Sequence, residues 1–263
     1  MGVWPFHRQC ANTDQGIYGQ GEATGAAAGA VPLVQDFRQF LVGQDPLNVD
    51  QLFERLRTSG IFAGAQGGQY VTALSGVEIA LWDLAGKALG LPIYQLLGGK
   101  MRDRIRMYCD LGTRKAGDSP SPEMIQQVKG LGFTAVKTDL DDLKNPQRWD
   151  RVNGTAGNAE IDEMVRKIAD MAHTYYVPLA PHCVVSPIGT MASCHICAAI
   201  PNFLVPEWHW LLHQQLWRSF VKEGEIIDRG FINITDRPGI GLEMNDQAAR
   251  SAQVPGTPWF EAV

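Results

Sequence analysis

Three short apolar runs in this chain end in a side chain that titrates. FTAVK closes on Lys137, PLAPH on His182 and FLVPE on Glu207. As parallel strands of a (β/α) fold, such runs would bring their carboxyl ends to one face, where these folds place catalytic groups. An ammonium, an imidazole and a carboxylate around a common mouth suit proton transfer. Crowding and desolvation there would lower the lysine pKa towards that of a working base. The plainer alternative is that strands commonly end in polar residues as they leave the core.

Other residues invite chemistry less strongly. Asp139, Asp141 and Asp142 follow Lys137 in TDLDDLKNP. Alternating acids suit a hard cation, but the run reads as a solvated loop. Cys194-His195-Ile196-Cys197 resembles half of a zinc site. Tetrahedral zinc needs a second ligand pair, and no partner pair is obvious. Ala198 stands where a c-type haem motif needs His. The run therefore reads as small side chains on a buried helix. Glu78 and Asp83 read as surface or hinge charges. Trp208, His209 and Trp210 read as an aromatic cluster packed against a loop or a neighbouring subunit.

The elements that must hold these residues follow from periodicity and breakers. Residues 15–24 read as a short strand between glycine turns. Residues 25–58 read as helical with a break at Gly43–Pro46, and 59–69 as a glycine-rich loop. That loop lacks the strand-before, helix-after setting of a nucleotide loop. Leu74, Val77, Leu81, Leu84 and Ala88 make one apolar stripe on a helix over 70–90, and Ile93–Leu97 is a short helix. From Arg104 the pattern becomes β-α-β-α. Strands are expected at Ile105–Cys109, Phe133–Lys137, Pro178–His182 and Phe203–Glu207. Helices are expected at Pro122–Leu131, Ala159–Tyr176 and Thr190–Ala199. Residues 224–263 read as a strand or two at Gly230–Thr235 and an irregular tail.

Composition narrows the class. The 263 residues are 45% hydrophobic and 19% charged, with a formal net charge of −5. That argues against disorder and gives no footing for nucleic acid or an anionic membrane. No apolar run approaches a membrane span, and Met1–Cys10 makes a poor secretory signal. Five cysteines, an odd number, favour reduced thiols. A cytoplasmic protein is expected.

Several stretches resemble the mandelate racemase/muconate-lactonising branch of the enolase superfamily, nearest its acid-sugar dehydratases of the galactonate type. They are GQGEAT at 19–24, ALSGVEIALWDLAGKALGLPIYQLLGG at 73–99, FTAVKTD at 133–139, APHCVVSPIGTMAS at 180–193 and DRPGIGLEMN at 236–245. The resemblance implies a capping domain (1–103, with 224–263 returning to it) and a modified (β/α) barrel between (104–223). It implies removal of a proton next to a carboxylate, a magnesium ion that steadies the enediolate, and elimination of water. Racemisation and cycloisomerisation are the other outcomes in the family. Lys137 matches the second-strand lysine of a Lys-x-Lys-type motif whose second lysine is Asp139 here. His182 matches the seventh-strand histidine. Glu207 matches the eighth-strand acid that donates a hydrogen bond to the substrate carboxylate.

The family's metal carboxylates end its third, fourth and fifth strands, and its sixth strand supplies an Asp for the histidine. None of these strands is found. The helix at 159–176 joins two family helices near Val165–Arg166, and the first capping strands are missing or replaced by Met1–Gln15. The expected fold is thus α/β: an incomplete (β/α) barrel of about four strands, against the usual eight, with an α+β capping domain. The expected function is acid-sugar dehydratase-type chemistry on a sugar-acid or hydroxy-acid substrate. It would be impaired, with magnesium the family's cofactor and none bound by this chain. A working metal-free lyase or isomerase, or ligands supplied by a second subunit, is another possibility. So is a non-catalytic interaction or oligomerisation protein derived from the family. Exposed sheet edges favour a homo-oligomer.

Overall fold

The computed structural model describes residues 7–23, 27–63, 67–111, 121–137, 173 and 178–253. The helix expected at Ala159–Tyr176 (save His173), the Val165–Arg166 junction and Asp139, Asp141 and Asp142 lie outside these residues.

The N-terminal part is a hairpin laid on a helical layer. Strand β1 (His7–Asn12) pairs antiparallel with β2 (Tyr18–Ala23), His7 opposite Ala23 and Asn12 opposite Tyr18. β1 lies within Met1–Gln15, the stretch where the first capping strands were expected to be missing or replaced. HRQCAN has no apolar alternation to announce one, and its strand character comes from pairing with β2. Helices α1 (Ala27–Leu41), α2 (Val49–Ser59) and α3 (Gly68–Leu89) complete the layer. The Phe37 and Tyr70 rings meet edge to face at 5.1 Å, and the Tyr70 hydroxyl donates to the Leu56 carbonyl at 2.6 Å.

β2 lies directly on α3, and this explains its glycines. A Cβ on Gly19 would sit 1.8 Å from the Ala80 carbonyl oxygen, and one on Gly21 2.0 Å from that of Gly76. Only glycine allows a strand backbone to touch a helix backbone so closely. The apolar stripe of α3 faces this contact and the other helices, with Leu74, Val77, Leu81 and Leu84 all buried.

Asp83 and Glu78 are not surface charges: they are 0% and 4% exposed. Asp83 accepts from the Gln20 backbone N–H, the Ile240 backbone N–H and Lys87 Nζ, each at 2.8 Å. It joins β2, α3 and the C-terminal segment. The Ile240 donor lies far away in the chain, so sequence spacing on α3 gives no sign of it. Gly239 makes room, since a Cβ there would stand 2.2 Å from Asp83 Oδ1. Burial raises the Asp83 pKa, against the opposing charge of Lys87.

After the short helix α4 (Ile93–Leu96), the run expected as one strand at Ile105–Cys109 is two. β3 (Arg104–Arg106) pairs antiparallel with β8 (Phe231–Asn233), which also pairs with β7 (Ile227–Asp228). β4 (Tyr108–Asp110) instead lies between β5 (Val136–Lys137) and β6 (Glu207–Trp208), parallel to both. The segment through Leu179 runs parallel to that through Phe203, and Glu207 N–H donates to the Pro181 carbonyl. Among the described residues the parallel order is therefore 136–137, 108–110, 203–208, 178–181. The first strand in sequence touches both the second and the last, as in a barrel where the final strand returns to the first.

Helices cover these strands. α5 (Pro122–Gly130) starts at Ser121, whose Oγ accepts from Met124 N–H at 3.3 Å, with Pro122 in its first turn. α6 (Pro187–Ala199) is capped by Ser186 and is buried along its length through Ala198. The short helices α7 (Gln214–Ser219) and α8 (Asp246–Ser251) follow. One apolar core fills the helical layer around Phe37, Leu56 and Leu74. A second, around Ile105, Met107, Ile188, Met191, Trp208 and Ile232, lies beneath the parallel strands.

Candidate active site

Asp110 and Lys137 close β4 and β5, Glu207 opens β6 level with Tyr108, and one network joins them. Lys137 Nζ lies 2.8 Å from Asp110 Oδ2 and 2.9 Å from Glu207 Oε1. His182 Nδ1 lies 2.5 Å from Glu207 Oε2. Cys183 N–H donates to the same oxygen at 3.2 Å, and the Tyr108 side chain also hydrogen-bonds Glu207. His209 Nδ1 makes an ion pair with Asp110 Oδ2 at 3.1 Å. Lys137, His182 and Glu207, singled out from sequence, are thus brought together.

Asp110 and His209 belong to the same network and were missed. Asp110 is the residue after the run expected to end at Cys109, so extending that strand by one position would have found a fourth titratable strand end. His209 sits two residues beyond Glu207, which gives both the same strand-face parity. The bulk of its tryptophan neighbours concealed it.

The loop carrying His182 is held from several sides. Trp210 Nε1 and Trp217 Nε1 both donate to the Val185 carbonyl, at 3.0 and 3.1 Å. Glu22, from β2, accepts from the Ser186 backbone N–H at 2.9 Å and from the Ser186 hydroxyl. Burial raises the Glu22 pKa, against its hydrogen bonds from Ser186. The N-terminal layer thereby fixes Ser186, the cap of α6, four residues past His182. Such over-determination keeps the loop of His182 in place.

The electrostatics correct one expectation. Partial burial pulls the Lys137 pKa down, but hydrogen bonds and charge from Asp110 and Glu207 pull harder the other way. The ammonium is held above the ordinary lysine range rather than lowered towards a base. Crowding was legible from sequence, but the sign of the crowding charge was not. Burial would raise the Glu207 carboxyl. The hydrogen bond and charge of His182, with the hydrogen bond of Lys137, outweigh it and leave Glu207 below its usual value. The ion pair with Asp110 raises the His209 pKa against burial.

The Cys194–Cys197 run lies on α6 with both thiols and His195 at 0% exposure. His195 Nδ1 accepts from Tyr94 N–H at 3.3 Å, and Nε2 donates to the Ile240 carbonyl at 3.1 Å. Both ring nitrogens are spent on packing. A divalent cation does not fit the described residues: no three His, Cys, Asp or Glu among them are placed to hold one. The two carboxylates of the mouth are already bridged by Lys137. No helix among the described residues is long and apolar enough to cross a membrane.

An α/β protein with a cap and parallel strands whose ends gather basic and acidic groups is the class this arrangement defines. Residues 11–98 match the N-terminal domain of mandelate racemase/muconate lactonizing enzyme, and residues 160–248 match the enolase C-terminal domain-like family. D-xylonate dehydratase of Haloferax volcanii is 30% identical over 367 residues, covering 99% of this chain and 88% of that protein. D-galactonate dehydratase of Verminephrobacter eiseniae is 40% identical over 138 residues, covering 51% of this chain. Only 34% of that dehydratase is spanned, about a third of its length. The crystal structure of a mandelate racemase/muconate lactonizing enzyme-like protein from Rubrobacter xylanophilus superposes with a TM-score of 0.82 at 27% identity. The match covers 99% of this chain and 100% of that one. The chain belongs to the mandelate racemase/muconate lactonizing enzyme family of the enolase superfamily, with the N-terminal cap and TIM-barrel-type domain of that family.

Proposed function

We propose that this chain carries a site of the acid-sugar dehydratase type, curtailed because the strands that bear the family's metal carboxylates are missing. The observation that carries the reading is the single network of Lys137, His182 and Glu207 at neighbouring parallel strand ends. His182 takes the proton next to the substrate carboxylate, since Lys137 is held as an ammonium. Lys137 opposes the negative charge that develops on the carboxylate oxygens. Glu207 orients His182 in the part that a sixth-strand Asp plays in the family. The neighbouring C3 hydroxyl then leaves as water with the proton that His182 took up, and the enol that remains tautomerises to a 2-keto-3-deoxy acid. The similarity to D-xylonate and D-galactonate dehydratases supports a sugar acid as substrate.

Two observations support an incomplete barrel. Four further strand–helix units at about 30 residues each would need about 120 positions, and residues 138–177 fall far short of that. The stretch aligned with the xylonate dehydratase, 367 residues, is longer than this whole chain of 263. We place the cap at 1–103 with 224–263, and the shortened barrel at 104–223.

The test is incubation of the purified chain with a panel of sugar acids in deuterium oxide. Loss of the C2 proton and appearance of keto acid are both followed by NMR. Slow C2 exchange with little product, unchanged by magnesium and abolished by His182→Ala, is expected. Robust magnesium-dependent turnover would overturn the curtailed site. Neither exchange nor product with any acid would overturn the proton-abstraction reading itself.

A further inference from the structure

The mouth is layered. Asp110 and Glu207 form its floor, 4% and 0% exposed. Lys137, His182 and His209 stand over them with 40%, 50% and 33% of their side chains exposed. Each turns one nitrogen inward: Lys137 Nζ to both carboxylates, His182 Nδ1 to Glu207, and His209 Nδ1 to Asp110. The Tyr108 side chain and the Cys183 backbone N–H complete the floor around Glu207.

A solute arriving from solvent therefore meets nitrogen before oxygen. Two buried carboxylates would by themselves repel an anion, but three basic side chains cover them. Lys137 stays charged, and with His182 neutral, as a base must be, protonation of His209 balances the second carboxylate of the floor. A lysine ammonium has three N–H donors. Two of these point to the floor, and among the described residues the third meets no partner and faces a ligand. A charge-assisted hydrogen bond of this kind needs no bridging ion.

The geometry points to a carboxylate-binding rim formed by Lys137, His182 and His209 that takes a 2-hydroxy acid directly, without a divalent cation. The choice of a sugar acid rests on the dehydratase-type reading; the cation-free binding rests on the layering alone. Lys137 then takes the electrostatic part that a metal ion plays elsewhere in the family. His209 becomes a ligand-contacting residue rather than a packing one.

Isothermal titration of the full chain tests this, with D-galactonate as probe and galactitol, which has no carboxylate, as control. Each is titrated in EDTA and again in magnesium chloride. Galactonate should bind in EDTA, with an affinity that magnesium leaves unchanged, and galactitol should not. Lys137→Met alone would strand two carboxylates, so it is paired with Asp110→Asn to keep the chain folded. The double variant should weaken galactonate by about tenfold or more, and Lys137→Arg by less, as expected for loss of a charged hydrogen bond. His209→Asn should weaken it as well.

Binding that requires magnesium, equal binding of galactitol, or a double variant that binds like the parent would each overturn the rim. Binding in EDTA without C2 exchange would sink the dehydratase reading and leave the rim standing. C2 exchange and binding that both appear only with magnesium would sink the rim together with the curtailed site, and leave only the proton-abstraction reading standing. No binding of galactonate in either buffer would sink both.

Discussion

Asp83 and Glu207 are each 0% exposed, and each sits beside a lysine, yet their surroundings differ in kind. Two of the Asp83 donors are backbone N–H groups, from Gln20 and Ile240, and its lysine is only 18% exposed. Nothing there can turn outward without parting β2 from the C-terminal segment. The principal partners of Glu207 are side chains with much of their surface in solvent, 40% for Lys137 and 50% for His182. Burial of charge is common to both. What separates a structural clamp from an open mouth is whether the donors are fixed backbone or side chains with an open outward face. Asp83 accordingly shows the raised pKa of a buried acid, whereas the Glu207 carboxyl is lowered, its own burial outweighed by His182 and Lys137.

The contrast breaks most readily in stability. Asp83→Asn leaves a backbone donor or Lys87 unmatched and should cost about 3 kcal/mol or more, as for other broken buried pairs. Glu207→Gln should cost less, about 1–3 kcal/mol, because its half-exposed donors can turn to water. Urea unfolding of the two variants compares them, and equal costs would dissolve the distinction.

The core histidine gives the next largest effect. Burial lowers the His195 pKa from 6.5 to about 4. The unfolded chain therefore takes up a proton that the folded chain refuses. Stability contributed by neutral His195 is present above pH 6.5 and lost as pH falls towards 4, amounting to roughly 3 kcal/mol. Urea midpoints between those pH values should fall, and His195→Gln should flatten that part of the decline.

Gly21→Ala drives a methyl group into the Gly76 carbonyl and should cost about 1–3 kcal/mol as overpacking does. The loss would be read as a lower melting temperature. The smallest effect is at the mouth. The His209 pKa is raised by Asp110, so its ion pair stabilises the fold fully below the free-histidine pKa. That contribution is lost as pH rises through the raised value, the opposite direction to His195. His209→Asn should remove only this alkaline-side decline, measured by thermal unfolding across the neutral range.

Much of this was legible in sequence where local pattern suffices. The stripe Leu74–Val77–Leu81–Leu84 gave α3, and the runs ending in Lys137, His182 and Glu207 gave the mouth. Pairing that depends on distant chain was not legible. β1 has no alternation of its own, and Asp83 looks like any helix-surface acid until Ile240 is brought to it. Asp110 and His209 escaped because one lay a residue past an expected strand end and the other between two tryptophans. The direction of the Lys137 pKa shift depends on Asp110 as well as Glu207, because a lysine crowded by two carboxylates behaves oppositely to one crowded by cations.

The most direct measurement is the protonation of Lys137 itself, read by NMR of chain labelled in its lysine side chains and assigned with Lys137→Arg. The Lys137 signal should stay that of an ammonium from about pH 6 to about pH 10, beyond the range of an ordinary working base. A Lys137 amine that titrates near neutrality would contradict the account, since the lysine would then be the base and the two carboxylates would not be holding it.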